Sequence, residues 1–215
     1  VYPSQGLLMY QWVRDSELLS DIFRAYNDFC AEYCNAYPKQ LRGVTFLNVD
    51  DIPGAVKEMY RGKKMGMAGA AIPVFTERLR YDSPEYEPIW APAEDLGLPI
   101  GLHLATERYS YAEGITTTIG THIKEGITAP ASPDPGFSGN GDMAVRPSIS
   151  QIVMSGVCDR HPNIQIGAVE FNAAWAAYQM WAMDKQYQEA RLRKITFSND
   201  AIPSDYFRRN LFFGY

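Results

Sequence analysis

Four short apolar runs, separated by helical or irregular stretches and never by a hairpin turn, limit what this chain can fold into. They are residues 44–49 (VTFLNV), 67–73 (MAGAAIP), 98–104 (LPIGLHL) and 164–171 (IQIGAVEF). The clearest, 98–104, is bounded by Gly and Pro and lacks clean apolar/polar alternation, the mark of a strand buried on both faces. Stubs at 1–2 and 211–213 read as two further strands. Strand and helix in strict succession predict βαβ crossovers and a parallel sheet.

The helical stretches carry their own signals. Residues 16–37 place Leu19, Ile22, Phe23, Tyr26, Phe29, Cys30 and Tyr33 on one stripe, and Pro38 stops them. Residues 52–66 have Pro53 in the first turn. A helix through 90–96 has Pro88 near its start, and Pro92 fits only if it falls near the first turn. Another begins at Arg146-Pro147-Ser148 and ends near His161-Pro162. Residues 173–192 carry Trp175, Tyr178, Trp181 and Met183, expected as core packing. Ser204 is expected to cap a short helix through Arg209. The longest irregular stretch, 106–145, is rich in Gly, Thr, Ser and Pro and is expected to form a lid over a site.

The shorter strand-to-strand spacings are those of a (β/α)8 barrel. A full barrel takes roughly 250 residues, so these 215 residues read as one partial TIM-barrel-type α/β domain, about strands 2 to 7 of a longer parent protein. Composition adds exclusions. Net charge is −5 with acids and bases interspersed, so no basic footprint for nucleic acid is present. No apolar stretch is long enough for a membrane span, and no signal-peptide pattern opens the chain. Three cysteines, Cys30 and Cys34 one helical turn apart and Cys158 elsewhere, read as buried thiols of a cytoplasmic protein.

A histidine at the carboxyl end of a buried parallel strand stands where a barrel carries its chemistry, and His103 holds that position. Glu170 ends another apolar strand, where a carboxylate needs a partner. It is expected as a metal ligand or as a proton-transferring catalytic group, the alternative being a salt bridge to a loop arginine. Asn48 and Asn172, at or just past strand ends, are candidate substrate contacts, as is Arg108 through a bidentate grip on a carboxylate. Arg146 flanks the lid in the same way. His161 reads as structural at a helix end, and His122 as a surface residue of the lid.

Several blocks then resemble the amidohydrolase-related (amidohydrolase 2) family, the branch of aminocarboxymuconate-semialdehyde decarboxylase and related metal-dependent enzymes. They are Tyr26-Asn27-Asp28-Phe29, Leu41-Arg42-Gly43-Val44, Tyr86-Glu87-Pro88-Ile89-Trp90 and Ala93 through His103. Ser155 through Ile166, Val169-Glu170 with Trp175, and Ser204 through Asn210 continue the likeness in order. The resemblance implies a barrel with a divalent metal, usually zinc and possibly manganese, at the carboxyl ends of its strands. His103 matches the family's fifth-strand metal ligand. Glu170 stands where many members carry a sixth-strand histidine, although Phe171-Asn172-Ala173-Ala174 lacks the glycines seen beside a glutamate in one branch. The first-strand metal motif and last-strand aspartate have no counterpart in these residues.

The expectation is a hydrolase or non-oxidative decarboxylase of a small carboxylate or aromatic substrate, with His103 and Glu170 on the metal, and a homodimer as a possible assembly. The alternative is a non-catalytic barrel scaffold with an incomplete metal site.

Overall fold

Side-chain caps set where two of the long helices of the computed structural model begin. It describes residues 1–2, 5–108, 123–124, 127–128, 142–191 and 196–214. After a 3-10 turn and a one-turn helix, α1 (Met9–Trp12), Asp15 accepts the Leu18 N–H at 2.8 Å and starts α2 (Ser16–Asn35). Asp51 accepts the Gly54 N–H at 3.0 Å and starts α3 (Ile52–Lys64), whose last turn holds Arg61, Lys63 and Lys64. Acceptors at the amino end and cations at the carboxyl end both suit the helix dipole.

Five strands form one parallel sheet in the order β1 (Val44–Phe46), β2 (Gly69–Pro73), β3 (Ile100–His103), β6 (Ile166–Val169), β7 (Leu211–Gly214). Two-residue strands β4 (Ile123–Lys124) and β5 (Ile127–Thr128) pair with each other, antiparallel. Spatial order follows chain order along the sheet, which is the singly wound path of a barrel. The stub at 211–213 is a full strand beside β6, whereas residues 1–2 are irregular chain.

The other helices are α4 (Glu87–Asp95), α5 (Asp142–Met154), α6 (Val157–Arg160), α7 (Ala174–Arg191) and α8 (Pro203–Asn210). Four local expectations change. Pro92 lies inside α4 and Pro147 inside α5, which begins four residues before Arg146; each proline removes one intrahelical hydrogen bond. The helix expected to run on to His161 is broken at Gly156, whose φ of +80° only glycine adopts freely. Ser204 lies inside α8, and the Ile202 N–H is instead met by Asp205 Oδ2 at 3.0 Å.

The two faces of the sheet pack differently. Ala70, Ile72, Ile100, Leu102, Ile166 and Ala168 join Met59, Trp90, Ile149 and Tyr206 in the main core. On the opposite face Phe46 and Ala71 pack with Leu7, Tyr10, Leu19 and Phe23. Gly101 and Gly167 are directly paired on β3 and β6. A Cβ on them would meet the Tyr2 hydroxyl at 2.7 Å and the Phe212 ring at 2.3 Å, so the glycines admit those aromatic rings.

The buried stripe of α2 is Leu19, Phe23, Asn27, Cys30 and Cys34. Phe29 and Tyr33 were expected on it but are 61% and 54% exposed. Asn27 takes the inward place and pairs with both the N–H and the carbonyl of Phe46, at 2.8 and 3.0 Å. That satisfies backbone groups on β1, which pairs only with β2 among the described residues. The aromatic run of α7 is also divided. Met183 is buried, while Tyr178 and Trp181 are exposed. All three cysteines are buried and free, and burial pushes the Cys158 thiol up to about 12, which leaves it protonated at neutral pH.

Candidate functional site

The register of β3 against β6 builds the site. His103 pairs with Val169, so Glu170, one residue further on, emerges beside it at the carboxyl end of the sheet. The backbone there is unusual: Ala105, Glu170 and Asn172 have φ of +64°, +67° and +56° without being glycine. Such conformations cost roughly 1–3 kcal/mol each and gather where function needs them.

His103 is 3% exposed. Its Nδ1 lies 2.8 Å from the Leu104 carbonyl oxygen. A carbonyl only accepts, so this contact places a proton on Nδ1. In the neutral ring Nε2 then presents a lone pair, the arrangement found in metal-bound histidines. Nε2 faces Glu170 Oε1 at 3.7 Å. The Tyr2 ring lies 5.1 Å from the imidazole, tilted by 46°. Burial raises the Tyr2 hydroxyl above its usual range, so it stays a proton donor.

These donors fit a divalent ion in part. A neutral imidazole and a carboxylate are ordinary ligands, and bonds near 2.1 Å in tetrahedral geometry put two donors about 3.4 Å apart, close to the 3.7 Å between Nε2 and Oε1. Among the described residues no group of three or more His, Cys, Asp or Glu comes together as a metal site. Glu170 itself departs from expectation. It lies outside β6, and its side chain is 53% exposed, so desolvation does not force it to find a partner.

The other expected contacts are dispersed. Asn172 is exposed in the same turn, and its carbonyl accepts from Trp175 Nε1 at 3.1 Å. Asn48 Nδ2 donates to the Ser16 carbonyl and to the hydroxyls of Ser16 and Ser20 at 2.8–2.9 Å. It lines a cleft of about 90 Å³ with Ser20, Asp21, Arg24, Asp51 and Glu58, on the α2–α3 side and away from His103.

Arg108 turns its guanidinium to Asp50: Nε and Nη2 both donate to Oδ2, at 2.9 and 2.6 Å. Further donors serve the carbonyls of Tyr10, Val13 and Arg14. Arg146 pairs with Gln179 and Asp142. His161 is structural, set between Glu87 at 2.7 Å and Glu94 at 3.2 Å. His122 and most of residues 106–145, the stretch expected to form a lid, lie outside the described residues.

Two residues near His103 escape a motif reading. Tyr2 reaches it from a distant part of the chain, with no local signal. Thr106 follows it by three and is fully buried.

A sequence profile described as amidohydrolase (Amidohydro_2) matches residues 6–206. The chain belongs to the amidohydrolase family. The gamma-resorcylate decarboxylase of Rhodococcus jostii (strain RHA1) is 34% identical over 103 residues, 43% of this chain and 31% of its own. The protein of the same name from Polaromonas sp. is 32% identical over 100 residues, with the same two coverages.

Among solved structures, 5-carboxyvanillate decarboxylase from Sphingomonas paucimobilis has a TM-score of 0.73 at 22% identity, covering 98% of this chain and 58% of that one. A dihydroxybenzoic acid decarboxylase from Polaromonas sp. JS666, with bound manganese and 2-nitroresorcinol, has a TM-score of 0.63 at 22% identity, covering 94% and 58%. The amidohydrolase chain thus spans about three tenths of the curated relatives' length and under two thirds of those structures'. The expected α/β fold of TIM-barrel type stands. No helix among the described residues is long and apolar enough to cross a membrane.

Proposed function

We propose that this chain carries part of the site of a metal-dependent, non-oxidative decarboxylase for small aromatic carboxylates. His103 is a metal ligand in this reading, and Glu170 is a second ligand or the proton-transferring group. One juxtaposition carries it: His103 Nε2, its partner nitrogen engaged by Leu104, facing Glu170 at 3.7 Å. The names of the relatives favour decarboxylation over hydrolysis. A divalent ion held there supplies fixed positive charge to the substrate's oxygens. Manganese in a relative makes it as much a candidate as zinc.

The chain's own residues have definite parts. The Leu104 carbonyl keeps the Nε2 lone pair turned outward. The exposed Glu170 can exchange protons with water. When the bond between ring and carboxyl carbon breaks, its electron pair stays on the ring carbon; in its proton-transferring role Glu170, having taken a proton from water, delivers it to that carbon as carbon dioxide leaves. Asn172, exposed beside it, is the remaining candidate for a substrate polar group, while Asn48 and Arg108 serve the frame.

The test uses the full-length protein, its metal content and its release of carbon dioxide from 2,6-dihydroxybenzoate and 5-carboxyvanillate, substrates named for similar structures. Expected are about one ion per chain, lost in His103→Ala, and turnover reduced roughly 10²–10⁴-fold in Glu170→Gln. A wild-type protein with neither metal nor turnover overturns the reading in favour of a scaffold.

A further inference from the structure

The end of the β2–β3 ladder contains an inserted side chain. Ala70 N–H donates to the Pro99 carbonyl at 2.9 Å, and the parallel register continues to Pro73 opposite His103. Repeating that rung every two residues would bring the Val74 N–H to the His103 carbonyl. Instead, Val74 N–H donates to Thr106 Oγ1 at 2.7 Å, and Thr106 Oγ1 donates to the His103 carbonyl at 2.6 Å. One hydroxyl replaces a direct rung, and both its hydrogen-bonding directions are used.

This hydroxyl also closes a turn of four residues, His103 to Thr106. Within it Ala105 has a φ of +64°, and the Leu104 carbonyl lies against His103 Nδ1. Fixing Thr106 against both strands therefore fixes the carbonyl that decides which ring nitrogen carries the proton.

We propose that Thr106 is a positioning residue for His103. Its hydroxyl, held as a rung between β2 and β3, locks the Leu104–Ala105 turn so that Nδ1 keeps the proton and Nε2 faces Glu170. The functional consequence rests on the reading of His103 and Glu170 as the site pair; the tautomer claim does not.

The test compares wild type, Thr106→Val and Thr106→Ser in full-length protein labelled with ¹⁵N-histidine, metal-free and then titrated with manganese. The 215-residue chain contains three histidines, and His103→Gln identifies the relevant signals. Expected in wild type is the neutral tautomer protonated at Nδ1. Valine, nearly isosteric but without the hydroxyl, should mix or reverse the tautomer and weaken manganese binding about 10–100-fold. Serine should restore both.

A valine variant with lower thermal stability but an unchanged tautomer overturns the proposal, because a merely structural threonine would do that. Should the valine variant not fold, Thr106→Ala removes the same hydroxyl without the second methyl. If wild type binds no manganese while the tautomer still responds to the hydroxyl, the metal reading fails and the positioning role stands.

Discussion

Glu170 holds a conformation that its side-chain type disfavours. At a φ of +67° any Cβ crowds the backbone, and glycine would not. Nothing in its burial explains the choice, since the carboxylate is more than half exposed. Its 3.7 Å approach to His103 is what the conformation achieves. The role proposed for the Glu170 carboxylate, set against the strain of its backbone, predicts opposite effects on two properties. Glu170→Gly should stabilise the fold by about 1 kcal/mol, or about 2–4 °C in Tm for a domain of this size, while turnover falls as in Glu170→Gln. Calorimetry and a carbon dioxide assay on one preparation check both. A glycine variant that is less stable than wild type would mean the carboxylate contributes to folding, and the strain argument would fail.

Between elements, the joint linking α4 to the end of α6 is electrostatic. Arg160 and His161 both pair with Glu87, and Glu94 reaches His161 and the Asn163 N–H. The Arg160 guanidinium, helped by His161 against partial burial, holds the Glu87 carboxyl below its usual range. A carboxyl lowered by folding adds stability above its unfolded pKa, about 4.3, and that stability is lost as pH falls through the folded value. Glu87→Gln should therefore be less stable than wild type at pH 7, with the gap closing in acid. Because Glu87 is 40% exposed, solvent screening limits the gap to about 0.5 kcal/mol. Denaturant midpoints at neutral and acid pH measure it, and a gap independent of pH would remove the charge from the explanation.

Elements of this kind were largely legible in the sequence. Unalternating apolar runs announce a buried parallel sheet, and they place His103 at the end of one strand and Glu170 one residue past the end of the next. What escaped was lateral placement. Periodicity defines a helical stripe but not which neighbour covers it: Phe29 and Tyr33 fit the stripe yet face solvent, and the polar Asn27 takes the inward place. The exposure of Glu170 was equally hidden, because one αL residue turns a strand-end side chain from core to solvent.

For the molecule as a whole, Arg108 ties together segments that are distant in the chain. Its backbone bridges to Phe75 and Glu77 beyond β2 at 2.7 and 2.9 Å. Its guanidinium ties Asp50, beyond β1, to the carbonyls of Tyr10, Val13 and Arg14 near the start of the chain. The pair is well buried, with side chains 5% and 17% exposed for Arg108 and Asp50. Removing one partner of such a pair strands the other charge, at a cost of about 3–5 kcal/mol. Arg108→Ala should lose stability on that scale. Arg108→Lys should recover only part of it, since a single ammonium cannot reproduce the planar set of donors. KM should stay at the wild-type value, because unfolding at the assay temperature lowers the amount of active protein and not KM. A substrate-binding arginine would behave in the opposite way: Arg108→Ala would unfold at the wild-type midpoint with KM raised tenfold or more. Urea midpoints and KM measured on the same samples separate the two, and the second pattern would return Arg108 to the substrate.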